Sequence, residues 1–277
     1  MSSMSKLFTI TIAASLALSA NGFNLEQFVR RNVVTNPQVK VKKIETVATQ
    51  VVPGLPDWNT YMIVMDLSYR GKEMKAPETI FVNEKAGLAT MDLISLKAGK
   101  SLRRLIRPHL PESYYDDAHL LYGNKNAAHK LVLFSDPDCP FCRQDVPKTI
   151  DEIKKHPGTI ALYYYHMPLT RLHPVSDVLT RIMEVLKKQG RVDDAFKMYR
   201  LKINYRETNA TKILAEAKKQ FGIELTQQQI DDPTIKAAIQ DDIGKGTRLM
   251  INGTPTYYYD GRYDSSRIQH KAALMGH

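Results

Sequence analysis

Cys139 and Cys142 are the only cysteines of this 277-residue chain, and only Pro140 and Phe141 separate them. A disulfide that closes so small a loop removes roughly 2 kcal/mol of unfolded-chain entropy, so a purely stabilising bond is a poor explanation. A structural zinc site normally needs four ligands, and the sequence supplies no second cysteine pair. Haem attachment needs a histidine directly after the second cysteine, where this chain has Arg143. The pair therefore indicates a dithiol that cycles between thiol and disulfide.

The local sequence assigns a different role to each thiol. Pro140 suits the first turn of a helix, and residues 141–155 have an apolar stripe at helical spacing. Cys139 then lies at a helix N-terminus, where free N–H groups and the macrodipole favour an anion. We expect its pKa to be depressed, which makes it the attacking sulfur. Cys142, one turn inside, is expected to be the buried resolving thiol, and Pro147 is expected to kink the helix.

Residues 1–22 have the pattern of a cleavable signal peptide. Lys6 precedes an uncharged apolar stretch, Leu7–Leu18, and small residues follow it. The stretch is short for a bilayer span, although an uncleaved anchor is the alternative. We therefore predict export to an oxidising compartment.

Composition is that of a globular protein, with 43% hydrophobic and 8% aromatic residues. About 255 residues would remain after cleavage, enough for two domains. The formal charge of +10 is spread along the chain without interleaved aromatic residues, so a solvated basic surface is favoured and no nucleic-acid partner is expected. No cofactor and no metal is expected.

The predicted fold class is α+β with two units. Residues 23–96 should form a small domain in which a helix from Asn24 to Val34 precedes strands, with turns at Asp57 and Arg70-Gly71. Residues 97–129 are assigned to a linker, helical in its first half.

Residues 130–277 are assigned to a second domain that contains the cysteine pair. Its order is a strand, the cysteine helix, a second strand, a helical insert at about 174–245, a strand entered through Pro255, and a final hairpin and helix. This order resembles the thioredoxin fold. Pro147 matches the kinking proline of that family, and Gly253-Thr254-Pro255 matches its cis-proline element. The resemblance implies that Thr254, Pro255, Phe141 and Pro140 contact the substrate beside the catalytic Cys139 and Cys142.

The complete architecture resembles the periplasmic DsbC/DsbG group of thiol-disulfide oxidoreductases. That resemblance implies a cystatin-like dimerisation domain, a linker helix and a thioredoxin-like domain with a helical insert. It also implies a homodimeric disulfide isomerase or reductase that acts on unfolded or misoxidised secreted proteins. The redox partner would be membrane-bound, DsbD-like if it keeps the dithiol reduced and DsbB-like if it keeps it oxidised.

Two alternatives stay open at this stage. A DsbA-like oxidase would use the same chemistry to introduce disulfides, whereas a periplasmic chaperone would hold unfolded chains without needing the cysteines. The sequence also departs from the common family pattern, because Leu133 stands where a buried acidic residue often assists the second thiol. Asp136 and Asp138 are interpreted as turn or capping residues, His166 and His173 as structural, and Asn209 as a helix N-cap.

Overall fold

The computed structural model describes residues 23–275, so the predicted signal peptide lies outside the described residues. The chain enters through α1 (Leu25–Phe28), which continues as a π-helical turn over Val29–Val33. The side chain of Asn24 accepts a hydrogen bond from the N–H of Gln27 at 2.8 Å, which caps the helix. The predicted N-terminal helix is confirmed.

A four-stranded antiparallel sheet follows in the order β1-β2-β3-β4. Its strands are β1 (Val39–Val52), β2 (Leu55–Tyr69), β3 (Lys72–Asn83) and β4 (Leu88–Thr90). Arg70 and Gly71 form the predicted turn, both with positive φ. The prediction of a turn at Asp57 is wrong, since Asp57 lies within β2. The chain reverses instead at Gly54, whose φ of 80° carries no Cβ penalty.

The predicted linker helix is not an α-helix. The segment contains a small hairpin, β5 (Ile94–Ser95) with β6 (Lys100–Ser101), and two 3-10 turns, Leu102–Arg104 and Glu112–Tyr114. Pro108 and Pro111 explain the difference, because proline removes a helical N–H donor and restricts the residue before it. Farther along this segment, β7 (Leu120–Tyr122) pairs with the C-terminal sheet, which therefore starts before residue 130.

The C-terminal sheet has the strand order β11-β10-β8-β9-β7. Its further strands are β8 (His129–Ser135), β9 (Ile160–His166), β10 (Thr256–Tyr259) and β11 (Arg262–Asp264). β8 and β9 are parallel and are connected by α2 (Pro140–Lys154), while the other pairs are antiparallel. Every residue of β9 is buried, as expected for a central strand covered on both faces. Asp260 and Gly261 form the predicted hairpin turn.

Helices cover this sheet. They are α3 (Ser176–Lys188), α4 (Val192–Phe196), α5 (Ala210–Phe221), α6 (Gln227–Asp231), α7 (Pro233–Arg248) and α8 (Gln269–Leu274). Asn209 caps α5 as predicted, and Gly222 ends it in a left-handed conformation. No helix within residues 23–275 is long and apolar enough to cross a membrane.

The two sheets meet through side chains at the end of α7 and just after it. Met250 is buried in a cluster with Val52, Met62 and Phe81 of the first sheet and with Ile106 of the connecting segment. Arg248 also donates to a carboxylate oxygen of Glu45 at 2.7 Å. The connecting segment therefore packs into the junction between the two sheets.

Candidate active site

Cys139 occupies the N-cap position of α2, and Pro140 is the first residue of the helix. The carbonyl oxygen of Cys139 accepts the N–H of Arg143 at 2.9 Å, which closes the first turn. The helix continues through Pro147 to Lys154. The sulfur thus lies where unpaired backbone N–H groups concentrate positive potential.

The two thiols differ strongly in acidity. A hydrogen bond from the Cys142 thiol lowers the pKa of Cys139 to about 5 against the opposing effect of burial, and backbone N–H groups of Cys142 and Phe141 add to the lowering. Burial raises the pKa of Cys142 far above its ordinary value, and donation to Cys139 raises it further. At neutral pH Cys139 is a thiolate and Cys142 is a thiol. This asymmetry agrees with the roles predicted from the sequence.

Thr254 and Pro255 lie directly against the dithiol. The peptide bond between them is cis, and the sulfur of Cys139 lies 3.3 Å from the carbonyl oxygen of Thr254. Pro255 is buried, whereas Thr254 is partly exposed. The structure therefore brings together the catalytic pair and the two residues that the resemblance placed beside it.

A chain of buried hydroxyl groups approaches Cys142 from behind. Ser135 is a hydrogen-bond partner of the Cys142 thiol. Its hydroxyl accepts from Tyr199 at 2.6 Å, and Tyr199 in turn contacts the hydroxyl of Tyr164 at 2.8 Å. These hydroxyl groups are uncharged, and they connect the second thiol to the buried interior. The local sequence pattern did not identify Tyr199, which comes from the 3-10 turn that follows α4.

Asp136 organises the loop in front of the cysteines. Its side chain is completely buried. One oxygen accepts the N–H groups of Asp138 and Cys139 and the hydroxyl of Ser176, and the other accepts the N–H of Leu169 and the ring of His173. The predicted turn role is confirmed, although five hydrogen bonds make Asp136 far more than a local cap.

The remaining polar residues near the loop are tied to partners other than the thiols. Asp138 forms a 3.0 Å ion pair with Arg143, which also donates to the carbonyl oxygen of Leu201. His173 contacts Asp136, and the fully buried His166 lies 3.3 Å from Glu184. Burial lowers the pKa of His166. Both histidines therefore have the structural role that the sequence favoured.

An open apolar surface adjoins the dithiol. Phe141 exposes 64% of its area, and Pro140 beside it is also exposed. A shallow depression of about 860 Å³ extends from Pro140 to Leu172 and Tyr205, which are themselves exposed. Exposed apolar residues around a reactive group are typical of a surface that binds other molecules.

Known proteins were compared with the whole chain. The thioredoxin family profile matches residues 116–272, more than half of the chain. A Na(+)/H(+) antiporter NhaA 1 from Mycobacterium sp. (strain KMS) is 27% identical over 163 residues, which cover 57% of this chain and 25% of that protein. The NhaA 1 antiporter of Mycolicibacterium gilvum is 24% identical over 91% of this chain and 36% of its own. The chain thus spans about a quarter to a third of these curated relatives.

Solved structures give fold-level matches. BdbD from Bacillus subtilis is 16% identical, with a TM-score of 0.49 over 62% of this chain and 96% of that chain. A thioredoxin-like oxidoreductase from Silicibacter pomeroyi is 21% identical, with a TM-score of 0.46 over 60% and 95%. The family match covers both cysteines, Thr254 and Pro255, and it agrees with the sheet that positions them. The chain therefore belongs to the thioredoxin family.

Proposed function

We propose that this protein is an exported disulfide isomerase or reductase that acts on misoxidised secreted proteins. The observation that carries its thiol-disulfide chemistry is the position of Cys139 at the start of α2, against Thr254 and next to the buried Cys142, together with the difference in acidity between the two thiols. A thiolate is the species that attacks a disulfide, and a protonated neighbour does not compete with it. Cys139 is therefore the sulfur that attacks, and Cys142 is not.

The first step is exchange at Cys139. Its thiolate attacks one sulfur of a substrate disulfide, the substrate S–S bond breaks, and the other substrate sulfur leaves as a thiolate. A mixed disulfide now links Cys139 to the substrate. The substrate would lie across Thr254 and Pro255, with Phe141 and Pro140 providing apolar contact.

The mixed disulfide can then follow two routes. In isomerisation, a second substrate thiolate attacks the substrate sulfur bound to Cys139, which releases the Cys139 thiolate with no net change in electrons. In reduction, Cys142 loses its proton and attacks Cys139, so the enzyme disulfide forms and the substrate receives two electrons. The hydroxyl of Ser135 is placed to donate a hydrogen bond to the Cys142 sulfur, which favours its thiolate once the proton leaves.

Several features support a DsbC/DsbG-like role. Threonine precedes the cis-proline, as in that group, and a separate sheet-containing domain precedes the catalytic domain. We propose that residues 23–96 form a homodimer interface, so that two Cys139 sites face one cleft. The proposed location is the periplasm, and a DsbD-like membrane donor would return electrons to the pair.

One observation favours the oxidase alternative. A pKa of about 5 at Cys139 stabilises the reduced form of the pair, and stabilising the reduced form makes the corresponding disulfide more oxidising. In that case a DsbB-like partner would keep the pair oxidised. The chaperone alternative depends only on the apolar surface beside Phe141.

One set of measurements separates the three functions. The redox state of the pair is trapped by acid quenching and alkylation in the organism, and purified protein is tested for refolding of scrambled ribonuclease. A mostly reduced pair with isomerase activity supports the proposal, and a mostly oxidised pair supports the oxidase. A Cys139→Ala/Cys142→Ala variant that still protects unfolded chains as well as the parent would instead indicate a chaperone.

A further inference from the structure

A basic groove lies beside the cis-proline loop, and neither Cys139 nor Cys142 is among its lining residues. Its volume is about 440 Å³, and Thr254 and Pro255 form part of its lining. Three arginines, Arg104, Arg107 and Arg267, line the same groove. Two of them come from the connecting segment and one from the turn before α8, so separate parts of the chain converge here.

Arg107 is held in a fixed position. Its guanidinium donates to the carbonyl oxygen of Arg103 at 3.2 Å and to the side-chain oxygen of Asn252 at 3.1 Å. It also lies over the ring of Tyr263, 5.7 Å from the centroid. These contacts leave its Nε buried without a hydrogen-bond partner among residues 23–275. A guanidinium held in a fixed orientation loses little conformational freedom when it binds an anionic acceptor.

The groove has more positive than negative charge, because three arginines and one aspartate line it. Asp264 is its only acidic lining residue in the part of the chain that the structure describes, and it is fully buried. Its two oxygens already accept the N–H groups of Ser266 and Gln269, each at 2.9 Å. Neither Arg104 nor Arg267 has a carboxylate within salt-bridge distance among residues 23–275. Arg107 is partly buried, and withdrawing a cation from water costs free energy that a bound anion would offset.

We infer that this groove binds acidic side chains of the substrate polypeptide next to the cysteine under attack. The inference rests on the proposed function, because the substrate reaches the groove by lying across Thr254. Thr254 contacts Cys139 through its carbonyl oxygen and lines the groove as well, so one residue joins the two sites. A volume of about 440 Å³ suits side chains of a short peptide segment better than a single small ion.

The test uses the full mature protein and three blocked peptides. Each peptide is acetylated and amidated, carries one cysteine as a mixed disulfide with thiopyridine, and has glutamate, glutamine or lysine on both sides of that cysteine. The second-order rate of thiopyridone release reports attack by Cys139. We expect the glutamate peptide to react about tenfold faster than the lysine peptide at low salt, and the difference to shrink as ionic strength rises.

Arg104→Gln/Arg107→Gln should remove most of this preference, measured as the ratio of the glutamate-peptide rate to the lysine-peptide rate within the same variant. Arg104→Gln alone, which does not disturb the contacts of Arg107, should reduce the preference in part. Arg70→Gln is the matched control, because Arg70 lies in the turn between β2 and β3, away from the groove. It changes net charge as much as Arg104→Gln alone does, and it should keep the full preference.

Equal rates for the three peptides with the parent protein would contradict the binding of acidic side chains in the groove, and they would leave the proposed dithiol function intact. An equal loss of preference in the Arg70 control would also overturn it, since general charge would then explain the effect. Absence of reaction with all three peptides would reject the proposed function itself.

Discussion

The thiol of Cys139 lies 3.3 Å from the carbonyl oxygen of Thr254, a residue 115 positions further along the chain. The pairing of β10 with β8 explains this contact, because Thr256 lies opposite Phe134 in the sheet register. The C-terminal end of β8, which leads to Cys139, and the N-terminal end of β10, which follows Thr254, lie at the same end of the sheet. A shift of one residue in that register would turn β10 over and separate the two groups.

The first prediction concerns the division of labour between the cysteines. Cys139→Ser should reduce insulin reduction by roughly a hundredfold or more, because the nucleophile is lost. Cys142→Ser should accumulate mixed disulfides with substrates, since attack proceeds but resolution does not. Non-reducing gels and mass spectrometry detect these species. If Cys142 is alkylated rapidly and Cys139 does not react, the roles of the two cysteines are reversed.

The second prediction concerns pH. Alkylation of Cys139 by iodoacetamide should follow its thiolate, with a midpoint at about pH 5 instead of the ordinary value of 9.0. Between these values the folded protein has lost a proton that the unfolded protein keeps. The free energy of unfolding of the reduced protein should therefore rise with pH across this window and fall as pH drops through 5. Urea unfolding in the presence of a phosphine reductant measures this dependence.

Cys142→Ala provides the control for this assignment. The hydrogen bond from Cys142 is the largest cause of the lowered pKa of Cys139, so its removal should move the alkylation midpoint upward. The helix N-terminus is unchanged in this variant, and the midpoint should stay below 9. An unchanged midpoint would mean that the neighbouring thiol has no part in the acidity of Cys139.

Local patterns predicted much of this fold and site. Cys139 and Cys142 were assigned from their spacing and their place at a predicted helix start, whereas Thr254 and Pro255 were assigned from the resemblance to the thioredoxin fold. The basic groove was not assigned, although Arg104 and Arg107 were visible as a basic segment. That segment was interpreted as a linker helix, and only the packing around Pro108 brings it to the cis-proline loop. Long-range contacts of this kind leave no local pattern.

The third prediction concerns Asp136. Asp136→Ala should destabilise the protein by about 3 kcal/mol or more, because it removes the acceptor for five buried donors. Asp138→Asn should cost less, since its carboxylate makes a single ion pair with the partly exposed Arg143. Urea unfolding measures both variants. Equal stability of the two would show that the buried network around Asp136 contributes little.

The last prediction concerns assembly. Leu88, Ile94 and Leu96 are 56%, 60% and 95% exposed, and all three lie at the end of the proposed dimerisation domain. Exposed leucine and isoleucine close together in sequence favour an interface, which for a stable dimer buries about 800 Å² on each partner. The protein without residues 1–22 should therefore sediment as a dimer at micromolar concentration.

Ile94→Lys/Leu96→Lys should convert this dimer to a monomer, because it places two charges in an apolar contact. The variant should still reduce insulin, since Cys139 and Thr254 are unaffected, but it should lose most isomerase activity because the shared cleft is gone. Lys97→Glu is a control that changes a neighbouring charge without removing apolar surface, and it should stay dimeric. A parent protein that sediments as a monomer would contradict the assembly and would favour the oxidase, which needs no second site to hold the substrate.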